Sequence, residues 1–128
     1  MATLSSAARS AACDGIVDLL DAGSGAGNFL LTDTAGGGGS TLAEITLNDP
    51  AFGAAATGVA TLDIDPTLSA TASADGTAAG WALRDSDDTV VISGDIGTGS
   101  QDLDIDNTSV TTGQTVNLGA ITVTVPAS

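Results

Sequence analysis

At 128 residues the chain has the length of one domain, which buries roughly two-thirds of its unfolded surface and leaves no room for a second core. Sixteen acids, fifteen of them Asp, face only Arg9 and Arg84, and the formal net charge of −14 repels phosphate backbones and anionic lipid. Direct contact with nucleic acid or membrane is therefore not expected, and the absence of histidine removes the usual activator of a serine or cysteine nucleophile.

Leu4, Ala8, Ala11, Ala12, Gly15, Ile16, Leu19 and Leu20 recur at three- and four-residue steps, which predicts an amphipathic helix over residues 4–22. Thr3 is placed to cap its start and Gly23 to end it in the left-handed conformation. Arg9, Asp14, Asp18 and Asp21 fall elsewhere on the wheel, and the small residues let a partner approach closely. Cys13 is alone, so no intrachain disulfide forms, and among Ala11, Ala12 and Gly15 it reads as a small buried hydrophobe.

The run Gly23-Ser24-Gly25-Ala26-Gly27 follows a helix, whereas a dinucleotide loop follows a strand, so it reads as a turn. A strand over 28–34 leads into the glycine-rich 36–40, read as a flexible hairpin tip, and a half-buried strand follows over 41–47. Alternation resumes over 58–65 with Ala60, Leu62 and Ile64 on one face, until Pro66 stops it. A weaker strand covers 68–74. The clearest hairpin spans 80–94: Trp81 and Leu83 alternate with Ala82 and Arg84, Asp85-Ser86-Asp87-Asp88 supplies the turn, and Val90, Val91 and Ile92 resume. Trp81, one of three aromatic residues, is expected in the core facing the helix. Asp102 to Asp106 alternates with Leu103 and Ile105, and a last strand runs over 115–125, bulged at Gly119 and Ala120 to restore one buried face.

These elements predict a single domain over 1–128 of the α+β class, mainly β. An N-terminal amphipathic helix (within 1–22) packs on a small antiparallel β-sandwich or flattened barrel built from 28–128. With few aromatics the core is thin, and oligomerisation or docking on a larger body would supplement it. No apolar run approaches a membrane span, and the first residues lack the pattern of a secretory signal, so a soluble chain made in the cytoplasm is expected.

Asp102, Asp104 and Asp106 have the D-x-D-x-D spacing that opens a helix-loop-helix calcium site and are the weak metal candidates. The match stops there, because Asn107 stands where glycine is needed, Gly113 where glutamate is needed, and strand alternation puts the three acids on one solvent face. Asp85, Asp87 and Asp88 are accounted for by their turn. No catalytic residue, cofactor site or bound metal is expected. A chain this acidic must dock where acids are sparse. The candidates are the segment 51–59 with Phe52 and the C-terminal strand with Ile121, Val123 and Val125, whose uncharged edge is open to strand pairing.

Three stretches carry a resemblance: LSSAARSAACDGIVDLLDAGSGAG at 4–27, LAEITLNDPAFGAAATGVAT at 42–61 and GTAAGWALRDSDDTVVISGDIGT at 76–98, with ITVTVPAS at the end. In this order they cover over half the chain, which resembles a family of small virion structural proteins of tailed bacteriophages. The resemblance implies a non-enzymatic capsid decoration, or cement, protein on the outer surface of the head. Its implied partners are the major capsid protein and further copies of itself, often as a homotrimer, with no cofactor. A tail tube or tail-tip adhesion β-sandwich is the alternative within the virion, and a calcium-dependent binding module is the alternative outside it.

Overall fold

The computed structural model describes residues 2–64, 68–97, 103–104, 109–118 and 121–126. Helix α1 spans Ser6–Asp18 and is capped by Ser5 rather than Thr3, the Ser5 hydroxyl oxygen accepting from the Ala8 N–H at 3.1 Å. It tightens into a 3-10 turn over Leu19–Asp21, and Ala22 follows in the right-handed region at φ −74°. Gly23 is therefore not a left-handed terminator. Its lack of a side chain serves close approach instead, since a Cβ there would run into the Ser86 side chain.

The strands are β1 (Asn28–Thr34), β2 (Gly38–Thr46), β3 (Val59–Thr61), β4 (Leu68–Thr71), β5 (Gly76–Thr77), β6 (Gly80–Arg84), β7 (Val90–Gly97), β8 (Leu103–Asp104), β9 (Ser109–Val110), β10 (Thr115–Leu118) and β11 (Thr122–Thr124). One sheet has the order β2-β1-β6-β7-β8, and the remaining strands form the ladders β10-β4, β11-β3 and β5-β9. Pairings are antiparallel apart from β7 with β8, and no sheet among the described residues closes on itself. The protein is thus mainly β with one helix, of the α+β class, and open rather than barrel-like.

Period-two alternation explains the five-stranded sheet. The register aligns Phe29 with Ile45 and Leu83, and Leu31 with Ala43 and Trp81, so one face collects these side chains in a buried cluster. Phe29 and Trp81 stack with ring centroids 6.2 Å apart, and the Trp81 indole N–H donates to the Asp95 carbonyl at 3.2 Å. Leu62, Leu68, Ala72, Val110, Leu118 and Ile121 complete the cluster from the two-stranded ladders, which makes the arrangement sandwich-like. Trp81 is in the core as expected, but α1 packs chiefly on β3 and β11. On the other face of the sheet, Arg84 donates to Asn28 Oδ1 at 2.8 Å and pairs with Glu44 and Asp88 at 3.4 and 3.1 Å.

The glycine-rich hairpin tip contains a 3-10 turn over Ala35–Gly37 folded back against β6 and β7, the Gly36 N–H donating to Asp95 Oδ1 at 3.1 Å. Two further expectations are corrected. Ile64 is exposed, so the buried face of the strand containing β3 ends at Leu62. The last strand is two strands in two ladders, β10 on β4 and β11 on β3. The parity change between Leu118 and Ile121 marks that switch of partner, and the bulge expected at Gly119 and Ala120 lies outside the described residues.

Candidate interaction surface

The helix meets the rest of the protein along a face different from the one its sequence suggests. Cys13, Val17 and Leu20 are buried, while Leu4, Ala8, Ala11, Ala12, Gly15, Ile16 and Leu19 are exposed, Leu19 to 53% and Leu4 to 46%. The reason lies in the polar residues beside the buried stripe. Ser10 Oγ accepts from the Gly58 N–H at 3.1 Å, Asp14 Oδ1 from the Ala55 N–H at 2.7 Å and Asp21 Oδ1 from the Ala51 N–H at 3.0 Å. Segment 51–58 is short of sheet partners, so its N–H groups need acceptors, and rolling these side chains inward supplies them. Gly58, at φ 79°, is required by this contact, since a Cβ would stand 2.9 Å from both Arg9 Cβ and the Val125 carbonyl oxygen.

The helix lies along the strands beneath it. Arg9 stands against Gly58 and Val125, and the Cys13 thiol donates to the Val123 carbonyl at 3.2 Å, so α1 and β11 run in opposite directions. Below the helix, β3 is hydrogen-bonded on both edges. Segment 51–53 takes one edge through Gly53 N–H to Thr61 O and Asp63 N–H to Ala51 O, and β11 takes the other. In the antiparallel register Thr122 and Thr124 stand opposite Thr61 and Val59, and Leu62 N–H donates to Ile121 O. The N–H and C=O groups of Thr122 and Thr124 therefore point away from β3, and they have no partner among the described residues.

The carboxyls of Asp21 and Asp75 are shifted in opposite directions. Burial, then the charges of Asp49 and Asp18, push the Asp21 carboxyl above its ordinary value, against the lowering effect of the Ala51 N–H. The Thr112 N–H and hydroxyl instead hold the exposed Asp75 carboxyl below its ordinary value. Asp33 accepts from the Ser40 N–H at 2.8 Å, and Asp85 from the N–H groups of Asp87 and Thr89 at 2.9 and 3.0 Å. Many of the aspartates thus act as clamps on nearby or crossing backbone. The excess of Asp over Glu is the signal that sequence reasoning passed over, because the shorter side chain is the one that caps turns and backbone N–H groups.

The proposed interface residues divide. Phe52 is 5% exposed and bridges to Leu62, so it fills the core and is not a surface anchor. Ile121 is buried, while Val123 and Val125 are half-buried at the open edge of β11. Asp102 and Asp106 lie outside the described residues, as does the side chain of Asp104 in β8. Among the described residues no group of three or more Cys, Asp or Glu is placed to hold a metal ion. Asp85, Asp87 and Asp88 form the turn foreseen for them, with Asp88 in the left-handed region at φ 67° that Asp tolerates. No described helix is long and apolar enough to cross a membrane.

Taken together, the segment 51–62, the whole stretch 107–128 and the helix flank made by Ala8, Ala12, Gly15, Ile16 and Leu19 contain no acid, although the chain carries sixteen. No protein-family model, no curated protein and no solved structure matches the chain.

Proposed function

We propose that this is a non-enzymatic structural protein of a tailed-phage virion, a decoration protein that cements the outer surface of the head. The reading rests on the resemblance of residues 4–27, 42–61 and 76–98, and on one structural observation, the segregation of charge. Acids occupy the large sheet, the turns and the helix flank facing segment 51–55, whereas the β3-β11 ladder and the helix flank over it are free of them. A protein crowded in many copies on a shell needs such a division. Its acidic surface stays hydrated and repels neighbours at a distance, and its neutral face permits close packing. The work is mechanical: each copy bridges seams between capsid subunits and adds buried area that stabilises the shell by mass action. The major capsid protein and further copies of the chain are its partners, and no cofactor takes part.

Copy number tests the reading. Densitometry of purified virions, after separation of heads from tails, is expected to find the protein on heads in numbers comparable with the major capsid protein. Recovery with tails, or in a few copies per particle, would favour a tube or adhesion role and overturn the decoration reading.

A further inference from the structure

We propose that β11 pairs with β11 of a second copy of this chain, forming one continuous sheet roofed by two antiparallel helices. This contact does not depend on the virion reading and goes beyond it, since it names the surface and its occupant. The first observation is the strand edge. Thr122 and Thr124 present outward N–H and C=O groups with no partner among the described residues, and an antiparallel two-fold axis through Val123 sets Thr122 of one copy opposite Thr124 of the other. Each threonine then donates and accepts a backbone hydrogen bond across the axis.

The second observation is the helix. At about 100° per residue, Asp14, Asp18 and Asp21 fall on the flank facing segment 51–55, and Ala8, Ala12, Gly15, Ile16 and Leu19 fall on the opposite flank. Because segment 51–53 and β11 lie on opposite edges of β3, that apolar flank overhangs the open edge of β11. Two-fold pairing of the strands brings the two apolar flanks face to face. With strands about 4.8 Å apart and each helix seated over the β3-β11 boundary, the helix axes come to lie about 10 Å apart, within the range of packed helices. Small Ala8, Ala12 and Gly15 allow that distance, and Val123 and Val125, half-buried in one copy, become covered.

The two-fold fit of strand edge and helix flank selects a second copy as the occupant, and charge permits it. Two chains of net charge −14 can meet only where neither brings an acid, and the ladder, the 107–128 stretch and this helix flank meet that condition. The contact is two-fold, so it links pairs of copies, and a three-fold assembly would use another surface in addition.

The test is sedimentation of the full chain over a concentration series at low and moderate salt. The wild type is expected to form a dimer whose fraction rises with concentration and with salt, as screening weakens the repulsion. Thr124→Pro removes an outward N–H at an edge position that tolerates proline, and Ala12→Glu places a charge on the exposed flank. Each should weaken dimerisation about tenfold or more while leaving the circular dichroism unchanged. Should Thr124→Pro fail to fold, Ala12→Glu decides alone. Val123→Cys should cross-link the pair on oxidation, since the two-fold brings these positions within disulfide reach, while the native Cys13 is fully buried. A wild type that stays monomeric, including one that captures an extended segment of a different protein, overturns the proposal. So do dimers that Ala12→Glu leaves intact or that Val123→Cys does not cross-link.

Discussion

Leu19 and Leu20 are neighbours with the same side chain, and truncating each in turn measures how the helix is rolled. Leu20 is fully buried, and Leu20→Ala removes three carbons worth about 0.8 kcal/mol each, roughly 2.4 kcal/mol in transfer alone. The space left among Cys13, Val17 and the core cluster brings the expected loss to about 3–4 kcal/mol. Leu19 keeps 53% of its surface in water, so Leu19→Ala forfeits less than half of the same transfer energy, about 1 kcal/mol, and opens no cavity. Helix propensity changes equally in both and cancels from the comparison. Urea unfolding followed by far-ultraviolet circular dichroism, in dilute protein so that self-association makes no contribution, should show the two variants about 2–3 kcal/mol apart at similar m. Equal losses, or a larger loss at Leu19, would mean that the helix is seated on the face its periodicity suggests, and the account of the polar clamps would fall with it.

Trp81→Ala removes the stack on Phe29 and the indole hydrogen bond to Asp95, and should cost about 3–5 kcal/mol, a large part of the stability of a domain this size. A melting temperature unchanged from the wild type would refute its core role. Asp21→Asn tests the buried end of the helix. Because the folded-state pKa is raised, the carboxylate form weakens the fold at neutral pH, and this cost disappears as pH falls through the raised pKa to below the ordinary value of 3.8. Asparagine keeps an oxygen for the Ala51 N–H, so the variant should melt above the wild type at neutral pH, with the gap closing on acidification. A gap that is constant, or that widens in acid, would contradict the assignment.

The β-strands of the large sheet are legible in the chain because their period is two and purely local. The span 28–34 coincides with β1, and the hairpin from Gly80 to Gly94 can be read from the Trp81 and Leu83 alternation and the Asp85 to Asp88 turn. The helix was legible as a helix but not in its rotation. With alanine, serine and glycine spread around the wheel, two candidate faces differ little in apolar content, and the hydrogen bonds that Ser10, Asp14 and Asp21 accept from a segment thirty or more positions away decide between them. Phe52 looked like an anchor in an uncharged stretch and is core, because its bridge to Leu62 depends on β3 having two partners. Composition alone determined that the protein is acidic, nearly free of aromatics and without histidine or lysine. Only the tertiary structure decided where the acid-free residues gather, since the helix flank, segment 51–62 and β11 are brought together by long-range pairing that no local pattern encodes.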